Sequence, residues 1–135
     1  MSGVIAIRYL LANNAPLLAV VPAAKIMAGV IPIETVLPAI AVNHISTVER
    51  NTVAMNSAKV MATERVQVTV QAKSYADQKS ILDLVRKACP NTHATVNGIE
   101  VDSILPELAG PDLHDYDLGI FLQSRAFIVK FIEST

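Results

Sequence analysis

Cysteine occurs once in this 135-residue chain, at Cys89, which excludes an internal disulfide and a paired-thiol metal site. A reduced, cytosolic folding compartment fits that usage. Neither sign of charge prevails: eleven Lys and Arg stand against twelve Asp and Glu, for a formal net charge of −1. So balanced a chain has no general field for gripping a polyanion, and a protein that holds nucleic acid tightly would be more basic. No apolar run approaches the roughly 18 to 20 residues that a membrane-spanning helix needs. The longest uncharged stretch, Tyr9 to Ala24, is broken by Asn13, Asn14, Pro16 and Pro22 and reads as folded protein rather than a leader. Tryptophan is missing, charged residues make up only 17%, and 52% of the chain is hydrophobic, which is apolar for a soluble monomer of this size. Some of that apolar surface is expected to meet another subunit.

Chemical motifs are equally scarce. There is no glycine-rich phosphate loop, no nucleophile elbow and no dinucleotide fingerprint. His44, His93 and His114 are far apart, and only His114 has acids beside it. Asp112, Asp115 and Asp117, with His114 among them, are candidate ligands for a hard cation, and carboxylate oxygens spaced along a loop suit calcium or magnesium. The spacing of a calcium loop, its glycine and its distal glutamate are missing, so a solvated acidic loop is the simpler reading. A small metal- or ligand-binding domain built on that loop is the alternative. His44, at the edge of an apolar strand, reads as a partly buried structural residue, and Cys89 as core packing, because no base stands near it to activate a thiolate. The balance points away from an enzyme and from any cofactor.

Against these absences stands the stretch from Thr63 to Cys89. From Arg65 to Lys73 the even positions are apolar and the odd ones polar or charged, the period-2 pattern of a strand with one buried face. At Ser74 the period changes. Ile81, Leu82, Val85, Ala88 and Cys89 then share one helical face, while Asp77, Lys79, Asp83, Arg86 and Lys87 take the others. Ser74 with Asp77 three residues on resembles a capping box, and Pro90 ends the helix. A strand that runs straight into an amphipathic helix folds that helix back over its own buried face, so this unit is the expected seat of the core.

The rest of the chain arranges itself around that unit as one domain, residues 1–135. Val4, Ile5, Ile7, Tyr9, Leu10 and Leu11 predict an N-terminal helix from Ser2 to Asn14, with Ala15-Pro16 opening a second short turn. A strand is expected from Lys25 to Ile31, and another opens at Pro38 with Ile40 and Val42 on one face. Residues 47–62 read as a long loop or an extended hairpin arm. Its Glu49, Arg50, Val53, Met55 and Lys59 are candidate partner contacts, since apolar Val53 and Met55 need a partner to cover them. Asn97-Gly98 predicts a two-residue type I′ hairpin, because both turn residues must take positive φ. Asp102 to Ala109 continues that hairpin's second strand. The last strand, Gly119 to Ile132, is apolar on both faces and implies burial on both sides or a second subunit. The expected fold is α+β: an antiparallel sheet of four or five strands covered by the amphipathic helix and the N-terminal helix.

In order and spacing these segments resemble the tail-completion or tail-terminator proteins of long-tailed bacteriophages. The likeness spans essentially the whole chain. Its parts are the helix Ile7-Arg8-Tyr9-Leu10-Leu11, the extended segment from Ile31-Pro32 through Leu37-Pro38-Ala39-Ile40, the junction from Arg65-Val66-Gln67-Val68 to Ser74-Tyr75 with Val85-Arg86, and the final strand Gln123 to Val129. The resemblance implies a virion protein, assembled in the host cytoplasm as a homo-oligomeric ring, commonly a hexamer. Such a ring caps the head-proximal end of the tail tube, ends tube growth and meets the head–tail connector. Double-stranded DNA passes through its bore, with no membrane involved. The family offers no catalytic residues to carry over.

Overall fold

The computed structural model describes residues 2–32, 35–50 and 59–134. Helix α1 (Ser2–Ala12), the one-turn helix α2 (Ala15–Leu18) and a 3-10 turn (Ala23–Lys25) lead into strand β1 (Ile26–Ala28). There follow β2 (Ala39–Arg50), β3 (Lys59–Ala72), α3 (Tyr75–Ala88), β4 (Ala94–Val96), β5 (Ile99–Ala109), β6 (Leu113–Asp115) and β7 (Ile120–Ser134). All seven strands join one sheet in the order β1-β2-β3-β7-β5-β4, with β6 also paired to β7.

This corrects the expected antiparallel sheet of four or five strands on two points. The sheet has seven strands, and it is mixed, because β1 runs parallel to β2 with Ile26 opposite Ile40. β6 falls in the acidic segment that reads as a loop, because three residues are too few for an alternating pattern to declare itself, and periodicity carries no information on strand direction. β1 is also shorter than the stretch Lys25 to Ile31: beyond Ala28 the chain turns away, with Gly29 N–H donating to Val42 O at 3.0 Å and Asn43 Nδ2 to Gly29 O at 2.8 Å.

The unit around Ser74 forms as its pattern dictates. Val66, Val68, Val70 and Ala72 are completely buried, and α3 lays Ile81, Leu82, Val85, Ala88 and Cys89 into the same core. Ser74 is the N-cap, its Oγ accepting from Asp77 N–H at 3.1 Å, and Arg86 and Lys87 sit in the last turn beside Asp83. Acid at the start and base at the end both complement the helix dipole. Asn97 and Gly98 take φ of 47° and 80°, the type I′ turn that joins β4 to β5.

α1 is more deeply enclosed than one face of a sheet would allow. It touches both edge strands, β1 and β4, and every long strand between them, so the sheet curls around it. Val4, Ala6, Ile7 and Leu11 are its buried side chains. Its first turn meets a charged residue of the central strand: Glu64 of β3 is fully buried, and its Oε1 accepts from Gly3 N–H at 3.1 Å. An acidic side chain is favoured at a helix N-terminus, where backbone N–H groups lack internal partners. The approach is so close that a Cβ on residue 3 would stand 2.8 Å from Glu64 Cδ.

Substitutions at two positions test this account. Gly3→Ala would ordinarily strengthen a helix, by up to ~1 kcal/mol. Here it must displace a buried carboxyl group, and a loss of about 1–3 kcal/mol is expected from urea unfolding. Ser74→Ala removes the α3 cap and is expected to cost about 1 kcal/mol, whereas Ser74→Asp retains most of the stability.

Candidate assembly surfaces

With the helices gathered on the concave side, the sheet keeps an outer face. Residues directly opposed in an antiparallel register point the same way, so the face can be read from the pairing. Arg65 of β3 opposes Ile128 of β7, which opposes Leu105 of β5. The neighbouring rows are Thr63, Lys130 and Ser103, then Met61, Ile132 and Glu100, and on the other side Gln67 with Ala126 and Thr69 with Ser124. The alternate residues, Phe127, Val129 and Phe131, are buried against the helices, while Leu122, Ile128 and Ile132 remain half-buried. β7 is therefore apolar on both faces, yet only one of them is covered among the described residues.

The outer face is ordered at its centre. Gln67 Nε2 donates to Ser124 Oγ at 3.0 Å, and the Thr69 and Ser124 hydroxyls lie 2.9 Å apart. Arg65 Nη2 bonds Glu107 Oε2 at 2.7 Å. Around this polar middle stand the exposed apolar side chains Ile45, Val48 and Leu105. Basic and acidic groups balance, so the face suits protein contact better than a phosphate backbone.

The described ends of the segment 47–62 belong to the sheet. Residues 47–50 continue β2 and 59–62 begin β3, paired from Arg50 opposite Met61 inward, with a bulge between His44 and Ser46. β3 is in turn paired to β7 as far as Lys59 opposite Ser134, so the sheet is three strands wide at this end. Residues 51–58, on which the choice between loop and hairpin arm turns, lie outside the described residues. Glu49 is exposed on β2, opposite Ala62, and Arg50 and Lys59 mark the strand ends. Val53 and Met55 lie outside the described residues.

The acidic segment is built for structure. Asp112 receives Lys79 Nζ and, at 2.8 Å, Tyr75 Oη, both from α3. Lys79 also donates to Gln123 Oε1 at 2.7 Å, and Gln123 Nε2 to Gly110 O at 2.8 Å. The bond from Lys79, with a smaller contribution from Tyr75, holds the Asp112 carboxyl below the usual aspartate range, and Asp112 in turn raises the Lys79 ammonium. Asp115 Oδ1 is occupied by the backbone N–H groups of Asp117 and Leu118, at 3.0 and 3.2 Å. No group of three or more His, Cys, Asp or Glu side chains able to hold a metal forms among the described residues.

The other candidates also separate. His93 faces Asp102, and His114 packs between Phe121 and Tyr116. His44, expected to be partly buried, is exposed, with Nδ1 3.3 Å from Glu64 Oε2. Burial pushes the Cys89 thiol up to about 12, consistent with a packing role. Glu64 itself escaped the sequence reading, although a signal existed: extending the alternation one step upstream of Arg65 places an acid in the apolar register.

No family model matches this chain, and no curated protein matches it. Among solved structures, the fold is shared with a chain of the virion of a native gene transfer agent particle, at a TM-score of 0.75. The match covers 96% of this chain and 94% of that one at 12% sequence identity, so the likeness is one of fold. The same overall fold thus occurs in a gene transfer agent virion.

The Asp112 tether has a definite pH signature. Its folded pKa lies below the unfolded value near 3.8, so the contribution is complete above that value and is lost as pH falls through the folded one. Carboxyl NMR titration is expected to place Asp112 below a free aspartate, and Lys79→Met to return it toward 3.8. A titration of Asp112 at its free value in both proteins would show that the tether does not form.

Proposed function

We propose that this protein is a structural component of a phage-type virion, forming a ring that caps the head-proximal end of the tail tube. The observation that carries the reading is the fold likeness to a chain of a gene transfer agent virion, which extends over nearly the full length of both chains. The resemblance of the sequence to tail-terminator proteins narrows the role to the end of the tube. In this reading the work is architectural rather than catalytic. Contact with tube and connector proteins would use the uncovered sheet face of β2, β3, β5 and β7, where exposed apolar side chains surround an ordered polar centre. A near-neutral chain would line a bore through which DNA slides without sticking.

Negative-stain imaging of the purified protein, alone and mixed with its tube protein, is the direct test. Rings, commonly hexameric, and tubes closed at one end are expected. A protein that stays monomeric at high concentration and never binds tube ends would overturn the proposal.

A further inference from the structure

We propose that the β6–β7 turn of one copy docks into a groove over α1 of the next, joining copies head to tail. The inference rests on the ring reading above and names the contact that would build the ring.

The groove lies where the curled sheet fails to close. Ala28 at the end of β1 and Asn97 in the β4–β5 turn form its rims, and Val4, Ile5, Arg8 and Tyr9 of α1 form its floor. Its volume is about 200 Å³. An apolar cavity of about 150 Å³ takes up a benzene molecule, so this space admits one aromatic ring but not a helix. Ile5 and Tyr9 are about two-fifths exposed there, at 40% and 42%. The Arg8 Nε donates to Ile26 O at 3.0 Å, its one hydrogen bond among the described residues.

The turn is the matching half. Tyr116 is 87% exposed, the most exposed large hydrophobic side chain among the described residues. It is nonetheless held in place. Asp115 accepts two backbone N–H groups of the turn, and the Tyr116 ring stands edge-on to His114 at 4.4 Å, which lies against Phe121 at 4.3 Å. A pre-ordered, nearly bare tyrosine with no role in the core has the character of an interface anchor. Exposed Asp117 beside it complements Arg8 in the groove.

Both halves lie on this chain, which favours a second copy over a foreign partner. No residue lining the groove comes from β6, β7 or the turn between them, so one copy presents both halves at once. Such a contact is heterologous, the kind that closes into a ring when its rotation permits. A two-fold contact between tips would instead set Asp115 and Asp117 against their own copies.

Paired cysteines at the rims test the contact while Tyr116, Asp117 and Arg8 stay intact. With Ala28→Cys and Leu118→Cys in one chain, a short bis-maleimide is expected to give a ladder of dimers, trimers and larger species on a denaturing gel, and each single variant none. Cys89 is buried and stays silent. In sedimentation velocity, Tyr116→Ala is expected to weaken association about 30-fold without altering the circular dichroism of the fold. Dimers from Leu118→Cys alone, or undiminished association of Tyr116→Ala, would overturn the proposal. Rings of the double variant without a ladder would also overturn it and leave the ring reading standing, whereas a monomeric wild-type protein would remove both.

Discussion

A fully buried acid on the central strand governs how this molecule goes together. Glu64 points into the same face of β3 as Val66, Val68 and Val70, where a charged group is costly unless strong partners surround it. The first turn of α1 supplies one, through Gly3 N–H, at a distance that only glycine permits. That contact sets the position of α1 along the sheet. Once α1 is set there, its apolar circumference has to be covered, and the sheet covers it by curling until β1 and β4 both reach the helix. The short edge strands are then less an ornament than the means of enclosing a helix that is apolar nearly all round.

The same enclosure decides what is left outside. All the described helices lie on the concave side, so the outer rows of β2, β3, β7 and β5 face solvent with half-buried isoleucines around a hydrogen-bonded polar centre. The incomplete closure between β1 and β4 leaves a groove over α1, and the β6–β7 turn carries an almost bare tyrosine. A monomer gains nothing from these three features. In the proposed ring, contacts with copies of the chain and with other virion proteins would use all of them.

Much of this was readable from residue patterns, and the failures have physical reasons. The β3–α3 unit, the Ser74 cap, the Asn97-Gly98 turn and the N-terminal helix all rest on local rules, and each formed where those rules put it. Of the three-residue strands, β6 did not show, because alternation needs more residues than it contains. Residues 47–50 looked irregular because the bulge between His44 and Ser46 shifts the register, and a shift by one residue exchanges the two faces of a strand. The acids from Asp112 to Asp117 suggested a cation site by spacing alone. Two of them are instead engaged by groups distant in sequence or by the backbone of their own turn.

Local chemistry in the chain was therefore enough to settle which of the longer segments become strand or helix and which of their faces are apolar. Periodicity, caps and turn residues act over a few neighbouring positions, so they are legible wherever the segment is long enough. Pairing direction, the parallel β1, the curl around α1, the burial of Glu64 and the exposure of Tyr116 were settled by packing. Each depends on groups tens of residues apart competing for one enclosed space, and no local pattern records the outcome of that competition.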